Sequence, residues 1–242
     1  MDPRSLMAPA RPDAVLKVGG SLGRRPRRLR RLMAALGALA PPRTLVVVPG
    51  GGLFAEEVRR ADRRFALDPS SSHWMAILAM DQSAYLLRHL AAGAVLVRSP
   101  EAIRTGRLNV LAPSAWLLRA DPLPHSWDVT SDSIAAWVAR ALRAARLVLL
   151  KSVDGVPGPG RPGPARIRAQ ATRRQLGDVV DEHFARALSP DISCWIVSGA
   201  RPERLATLLA TGSTYGTEII ARAPAPSRPR SGRGRAPRRG RG

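Results

Sequence analysis

The sequence contains one cysteine, Cys194, and so lacks the pairs that an internal disulfide or a multi-cysteine zinc site requires. Aromatic residues form only 4% of the 242 residues, so a core must be built mainly from Leu, Val, Ala and Ile. No apolar run approaches the roughly 18 residues of a membrane span. The first residues also lack the basic and apolar stretches of a secretory signal. From these absences we expect a cytoplasmic protein without contact to a membrane.

The chain is strongly basic, with a formal net charge of +21 at pH 7, yet lysine is almost absent. Of the 39 basic residues only Lys17 and Lys151 are lysines, and the other 37 are arginines. Seven of those arginines lie in residues 223–242, where no acid balances them. Such a Pro/Gly/Arg-rich stretch cannot bury enough apolar surface to fold. We therefore expect a disordered tail that makes only weak contacts with polyanions, and no specific binding of nucleic acid.

Short apolar runs alternate with segments of helical periodicity along the middle of the chain. We expect one α/β domain over residues 13–222, preceded by a disordered segment at 1–12. Strands are predicted at 14–18, 45–48 and 95–97, in "RLVLLKSVDG", in "ISCWIVSG" and in "GTEII"; helices are predicted at 24–39, 53–65, 73–91 (capped by the serines at 70–72), 133–145, 172–176, 184–188 and 202–210. Residues 157–164 have the composition of a loop, and residues 100–124 favour neither state. The alternation predicts a three-layer sandwich around a central, mainly parallel sheet.

Two glycine runs follow the first two predicted strands. The first is Gly19 and Gly20 in "LKVGGSL"; the second is Gly50, Gly51 and Gly52 in "VVPGGGLFAEE". Because each run precedes a predicted helix, its backbone N–H groups can approach an anion closely at a helix N-terminus. Two ordinary strand–turn–helix connections would give the same pattern. Neither run matches the GxxxxGK[ST] loop or the GxGxxG fingerprint, which argues against a P-loop nucleotidase and a dinucleotide-binding fold.

Both lysines stand at predicted strand ends. Lys17 comes two residues before the first glycine pair, and Lys151 ends the strand before "SVDG". Arginine is planar and forked, whereas lysine is a compact point charge on a thin stem. The retention of two lysines at such places indicates sites where a guanidinium would not fit, such as a crowded phosphoryl site. The alternative is that a strong bias toward arginine left two lysines at arbitrary positions.

Acidic residues bracket the segment "DVTSD" before a predicted helix. Asp128 or Ser131 alone fits the role of a helix cap. Asp132, in the first turn, fits two further roles: holding a cationic lysine in place or assisting Mg²⁺. Phosphoryl transfer depends mainly on positioning and charge neutralisation. Glycine amides, a lysine, an acid and Mg²⁺ are therefore the parts that a kinase site requires.

In this order along the chain, the segments resemble those of the amino acid kinase superfamily, and the resemblance covers roughly residues 13–221. It implies that Lys17 in the K-x-G-G-S motif contacts the phosphoryl group in transfer and that Asp132 in "TSDSIAAW" orients the lysines. The residues that it implies for nucleotide binding are Gly19, Gly20, Ser21, Lys151, Ser152, Val153, Asp154 and Gly155; those expected at the acceptor are Gly50, Gly51 and Gly52, to which we add Asp128 and Ser131. It implies ATP and Mg²⁺ as cofactors, and we predict no metal ligand on the protein itself.

The chain departs from the family in one respect, because it has no lysine after Lys151. Many members carry a late lysine that stabilises the transferring phosphoryl group. Either Lys151 or an arginine such as Arg201 does that work, or the site is weakened. In the last case the protein would bind nucleotide without catalysing a reaction.

Within the family, "LPHSWDVTSDSIAAWVA" and "MAILAMDQSAYLL" resemble the branch of methanofuran-type cofactor synthesis. That branch phosphorylates (5-(aminomethyl)furan-3-yl)methyl phosphate to its diphosphate with ATP. Such an acceptor bears an ammonium and a phosphate. Candidate partners are Asp81, Glu56 and Asp128 for the ammonium, and His125, His73 or a nearby arginine for the phosphate. Alternatives are a kinase for isopentenyl phosphate and a non-catalytic nucleotide-binding member, and the resemblance also implies a homo-oligomer.

Overall fold

The computed structural model describes residues 11–156, 167–170 and 172–221. Over these residues the strands are β1 (Ala14–Val18), β2 (Leu45–Pro49), β3 (Val95–Val97), β4 (Leu108–Leu111), β5 (Arg146–Lys151), β6 (Ile167–Gln170), β7 (Ser193–Ser198) and β8 (Thr217–Ile220). The helices are α1 (Pro26–Leu39), α2 (Gly52–Phe65), α3 (Pro69–Leu90), α4 (Ser114–Ala120), α5 (Ser131–Ala141), α6 (Arg173–Leu176), α7 (Phe184–Ala187) and α8 (Pro202–Thr211). Short 3₁₀ turns lie at Gly20–Arg24, Pro100–Ala102 and Gly177–Val179.

The strands form one sheet in the order β3-β4-β2-β1-β5-β7-β8-β6. Every pair from β3 to β7 is parallel, whereas β8 runs antiparallel to β7 and pairs in parallel with β6. The prediction of an α/β fold with a mainly parallel sheet is therefore confirmed. Because β2, β1 and β5 are parallel neighbours, their carboxyl ends lie along one edge. This is the edge at which open α/β sheets bind ligands.

Helices cover both faces of the sheet, and each face buries alternate residues of the strands. Val15 and Leu149 belong to the apolar cluster that packs beneath α4 and α5. Leu16 belongs to the cluster on the opposite face, which packs against α1 and α8. By the same alternation, Lys17 and Lys151 lie on the α5 side. The lysines therefore share one face of adjacent strands.

The start of α3 differs from the prediction. The helix begins at Pro69 rather than at residue 73, and its cap is Asp68 rather than one of the serines at 70–72. Oδ1 of Asp68 accepts the N–H groups of Ser70 and Ser71, each at 3.0 Å. Proline suits the first helical position because its missing N–H has no partner to lose there. The predicted serine cap is wrong.

The other differences lie further along the chain. Helix α5 covers Ser131–Ala141 instead of 133–145, and it cannot extend because Arg143 has a left-handed φ of 51°. Residues 100–124 contain β4 and α4, and β6 was not predicted at all. The loop predicted at 157–164 and all of the predicted disordered segments except residues 11 and 12 lie outside the described residues. In the part of the chain that the structure describes, no helix is both long and apolar enough to cross a membrane.

Candidate active site

Two lysines and one aspartate meet at the carboxyl edge of the sheet. Lys17 on β1 and Lys151 on β5 lie on adjacent strands, and Asp132 stands in the first turn of α5. The Asp132 carboxylate lies between the two ammonium groups, with Oδ1 3.0 Å from Lys17 Nζ and Oδ2 2.6 Å from Lys151 Nζ. Lys17 and Asp132 are buried, and Lys151 is nearly so. The two ion pairs are therefore shielded from water.

The two contacts to Asp132 differ in kind. Oδ2 accepts a hydrogen bond from Lys151, whereas the contact of Oδ1 with Lys17 is an ion pair of less favourable hydrogen-bond geometry. An ammonium group has three N–H donors, and Asp132 engages at most one of those of Lys17. The other N–H donors of Lys17 are left for another acceptor, such as a phosphoryl oxygen.

Burial and charge set the protonation of this cluster. Burial would raise the pKa of Asp132, but the ammonium groups of Lys17 and Lys151 outweigh it and hold that pKa below its usual range. Burial, together with the charge of Lys17, lowers the pKa of Lys151 to about 8 despite the nearby carboxylate. The cluster therefore carries two positive charges and one negative charge at neutral pH. A net positive, dry site of this kind suits an anion.

The start of α5 fixes where Asp132 stands. Thr130 is the N-cap, and its hydroxyl accepts the N–H of Asp132 at 3.5 Å. Oδ2 of Asp181 accepts the N–H groups of Thr130 at 2.9 Å and Ser133 at 3.0 Å. Asp181 therefore anchors the first turn of the helix and positions the carboxylate between the lysines.

The two glycine runs pack against each other at the ends of β1 and β2. A Cβ on Gly20 would lie 2.7 Å from the backbone nitrogen of Gly52, a distance that only glycine allows. Gly52 has a φ of 56°, and it begins α2. The first N–H groups of a helix have no carbonyl partner within it, and the positive end of the helix dipole lies there. The second run therefore offers donors to an anion.

A cavity of about 540 Å³ opens between the glycine runs, α2 and α3. Its volume is within the range of small-molecule sites. Gly20, Ser21, Gly50, Gly51 and Gly52 line one part of it, and apolar side chains such as Ile77, Met80 and Ile134 line another. The charged side chains on its walls are Arg24, Glu56, Arg59 and Asp62. The cavity can therefore take a small polar molecule with its anionic end at the glycines.

Stacked rings form one wall of the cavity. His73 and His125 stack with ring centroids 4.3 Å apart, and Trp74 meets both edge-on. Burial and the charge of His125 lower the pKa of His73 to about 4, so this ring is neutral at pH 7. His73, Asp121 and His125 are close enough to share a metal ion. Both nitrogens of His125 already have partners, however, in Ser70 at 2.7 Å and Asp121 at 2.9 Å.

The second segment predicted to bind nucleotide, residues 152–155, forms a turn after β5 and lies outside the cavity lining. Ser152 Oγ lies 3.3 Å from Ser21 Oγ, so the turn touches the first glycine run. Asp154 pairs with Arg204 at 2.6 Å, and Val153 is exposed. Gly155 is buried and has a φ of 154°. The structure therefore brings both predicted nucleotide segments together beside the lysines.

The sequence analysis named three acids and a serine as candidate contacts of the acceptor, and only two of these four residues line the cavity. Ser131 and Glu56 line the cavity. Asp128 is exposed and lies outside the lining, and Asp81 accepts the N–H of Ser114 at the start of α4. The predicted capping role of Asp128 or Ser131 is wrong, since Thr130 is the cap of α5.

Asp62 and Asp181 are two site residues that the sequence did not reveal. Asp62 stands in "RRADRR", where one acid among arginines looks like part of a solvated helix face. Asp181 bonds to a helix start that lies 48 residues earlier. Neither residue has a local motif, so only the folded chain shows what it contacts.

Comparison with known proteins agrees with this architecture. Residues 14–162, more than half of the chain, match the sequence profile of the amino acid kinase family. The chain is 28% identical over 210 residues to the [5-(aminomethyl)furan-3-yl]methyl phosphate kinase of Methanocaldococcus jannaschii, a match that covers 85% of this chain and 97% of that protein.

Two solved structures share the fold. The uridylate kinase from Archaeoglobus fulgidus matches with a TM-score of 0.65 at 20% identity, over 86% of this chain and 100% of that one. An isopentenyl phosphate kinase matches with a TM-score of 0.54 at 17% identity, over 85% and 99% of the two chains. With its sequence match, its parallel sheet and its paired glycine runs, this chain belongs to the amino acid kinase family.

Proposed function

We propose that the protein is an ATP-dependent phosphotransferase that converts (5-(aminomethyl)furan-3-yl)methyl phosphate to its diphosphate in methanofuran-type cofactor synthesis. The observation that carries this proposal is the pair of lysines on one buried aspartate, Asp132, beside the two glycine runs. Phosphoryl transfer needs positioned positive charge more than it needs covalent chemistry. The relative from M. jannaschii, whose name states this acceptor, supports the choice of substrate.

In the reaction, an oxygen of the acceptor phosphate attacks the γ-phosphorus of ATP. The bond between that phosphorus and the β–γ bridging oxygen breaks, and ADP leaves with the electron pair of that bond. A phosphate ester has a second pKa of about 6, so the attacking oxygen is already an anion at neutral pH. The site therefore needs no general base.

Lys17 and Lys151 neutralise the negative charge on the transferring group, and Asp132 holds both ammonium groups at the same place. Lys151 does the work of the late lysine of other family members, because it shares one carboxylate with Lys17. Arg201, the other candidate, is the exposed residue that precedes α8 and makes no ion pair with Asp132. Loss of one such stabilising donor typically costs about 10²–10³ in kcat.

The nucleotide is expected over the carboxyl ends of β1 and β5. Gly19, Gly20 and Ser21 would contact its phosphates, and the turn at 152–155 would contact its nucleoside. Bound Mg²⁺ supplies further charge neutralisation on the phosphates. Both oxygens of Asp132 face ammonium groups, so this carboxylate does not fit a metal-ligand role. We therefore expect Mg²⁺ to be held by the phosphates of ATP.

The acceptor is expected in the cavity, with its phosphate at Gly50, Gly51, Gly52 and Ser131. A wholly apolar pocket would favour isopentenyl phosphate as the acceptor. The walls of this cavity instead carry the acids Glu56 and Asp62. Arg24 pairs with Glu56, whereas Asp62 has no ion pair within the described chain, and its charge favours an acceptor that bears an ammonium group.

The test is ADP release with Mg-ATP against a panel of acceptors, with products identified by mass. The panel contains the furan phosphate, isopentenyl phosphate, UMP, acetylglutamate and aspartate. We expect turnover of the furan phosphate alone, its loss in Lys17→Ala, and unchanged turnover in Arg31→Ala on the exposed face of α1. Turnover of another acceptor would overturn the substrate. ATP binding without any turnover would overturn the enzymatic function in favour of a nucleotide-binding protein.

We also expect a homo-oligomer, as the family resemblance implies, and a folded domain over residues 13–222. Light scattering coupled to size-exclusion chromatography measures the first. Limited proteolysis with mass analysis of the resistant fragment measures the second.

A further inference from the structure

Of the two acids on the cavity wall, Asp62 is the one that no ion pair within the described chain neutralises. Arg59, a cation on the same wall, lies over the ring of Trp127. The cavity is lined by two acids, Glu56 and Asp62. Glu56 is paired with Arg24, whose Nη2 lies 2.7 Å from its Oε1. Asp62 accepts hydrogen bonds from neutral groups only, and Arg63 acts on it at longer range. A negative charge on the wall of a binding cavity is thus available to a ligand.

The carboxylate of Asp62 is held in a fixed orientation. Its Oδ1 accepts the hydroxyl of Ser72 at 2.6 Å, and its Oδ2 accepts the indole N–H of Trp127 at 2.9 Å. These two hydrogen bonds lower the pKa of Asp62, which keeps it ionised at neutral pH. A carboxylate has about four lone-pair positions, so two of them remain for a further donor. The carboxylate is therefore held in one orientation and can still accept further hydrogen bonds.

Asp62 and the second glycine run lie at opposite ends of the part of α2 that lines the cavity. Gly52 and Asp62 both line the cavity, and they stand ten residues apart on α2, which corresponds to about 15 Å along the helix. The glycine end carries N–H donors for a phosphate, and the Asp62 end carries a negative charge. His73, one of the stacked rings on the cavity wall, is neutral at pH 7 and does not repel a cation.

We infer that Asp62 binds the ammonium group of the acceptor. It thereby selects a phosphate monoester that bears an amine over the same compound without the amine. The inference rests on the proposed function, whose acceptor has an aminomethyl group at one end and a phosphate at the other. An ammonium that donates to a carboxylate forms a charge-assisted hydrogen bond, one of the stronger kinds in proteins. Asp62 is thus a specificity-determining residue, distinct from the lysines that act on the transferring group.

Asp62→Asn tests the inference, because asparagine has the same shape without the charge. Its amide oxygen can still accept from Trp127, and its NH₂ group can donate to the Ser72 hydroxyl. The two acceptors to compare are the aminomethyl furan phosphate and (5-methylfuran-3-yl)methyl phosphate, which lacks the amine. We expect kcat/KM for the aminated acceptor to fall about 10- to 100-fold, mainly through KM. For the methyl analogue we expect no change.

Two further variants distinguish a role of Asp62 in binding the amine from a role in maintaining the fold. Glu57→Gln changes an exposed acid on the same helix that pairs with Arg60 and lies outside the cavity lining, so it should keep the preference for the amine. Asp62→Glu retains the charge and should recover part of the preference. An equal loss on both acceptors would show a structural role and overturn the inference, as would an unchanged preference in Asp62→Asn. If the wild-type protein turned over neither furan phosphate, the proposed function itself would fail, and this inference with it.

Discussion

Gly50 and Gly20 meet backbone to backbone, and a Cβ on Gly50 would lie 2.6 Å from the nitrogen of Gly20. The atoms that this Cβ would contact belong to the main chain, so rotation of a side chain cannot relieve the clash. The contact joins the end of β2 to the end of β1. It therefore fixes the proposed acceptor loop against the proposed nucleotide loop.

Gly50→Ala should disturb both stability and catalysis. Forcing a methyl group into a filled space typically costs about 1–3 kcal/mol of unfolding free energy. The methyl group would also push the two glycine loops apart. This should lower kcat/KM, because the two loops position both substrates. Urea denaturation and ADP release measure the two effects. Gly23→Ala is the matched control, since a Cβ there meets nothing within 4 Å. Wild-type behaviour of Gly50→Ala would show that the two loops are not closely packed in solution.

Lys17→Arg tests why lysine is retained in a chain that otherwise uses arginine. The side chain of Lys17 is buried, and its Nζ lies 3.0 Å from Asp132. A guanidinium keeps the charge, but its planar fork needs space that this site does not offer. We expect kcat to fall about 100-fold or more, a loss of the size seen when a stabilising donor is displaced. The reverse exchange on the surface, Arg31→Lys, should leave kcat unchanged. Near-normal turnover of Lys17→Arg would mean that only the charge matters.

The lysine cluster could be predicted in outline because parallel strands end at a common edge. Lys17 and Lys151 were singled out by their rarity and by the glycines and turn that follow them. Their shared contact with one carboxylate could not be read from the sequence. It depends on where α5 begins, which Thr130 and Asp181 determine across 51 residues of chain.

Short elements and isolated acids were the parts that sequence patterns missed. Strand β4 has four residues, too few to show a period, and one of them is the polar Asn109. Asn109 is fully buried, and its amide donates to the carbonyls of Leu45, Arg104 and Arg107. These hydrogen bonds allow an asparagine to be buried in a strand. In the sequence alone, an asparagine is more typical of a loop. Asp62 was missed for the related reason that its partners come from two other segments.

Asp132→Asn should leave two ammonium groups facing each other without a counter-charge. Removal of one partner from a buried ion pair typically costs about 3–5 kcal/mol of unfolding free energy. We expect a loss of this order at pH 6 and a smaller loss at pH 9, where Lys151, with its pKa lowered to about 8, has largely released its proton in the wild-type protein too. Guanidinium denaturation at the two pH values measures the difference. Asp191→Asn, an exposed exchange of the same kind, should show neither effect. An equal loss at both pH values would mean that the repulsion between lysines is not the cause.

In the wild-type protein, activity should fall with rising pH while the contribution of Lys151 to stability should increase. Burial and the charge of Lys17 lower the pKa of Lys151 from 10.5 to about 8. Because the cation is the active form, kcat/KM, which reports the ionisation of the free protein, should fall as the pH rises through about 8. Between pH 8 and 10.5 the unfolded chain binds the proton that the folded chain has released. The contribution of Lys151 to stability should therefore rise with pH over that interval.

Lys151→Met isolates this contribution, since methionine keeps the apolar stem and removes the titrating group. Its residual kcat/KM should be low and should not change across pH 8. The difference in unfolding free energy, wild type minus variant, should increase as the pH is raised above 8. Persistence of the alkaline fall in kcat/KM in Lys151→Met would assign that titration to another group. Because activity and stability are expected to change in opposite directions, damage to the fold at high pH cannot imitate this result.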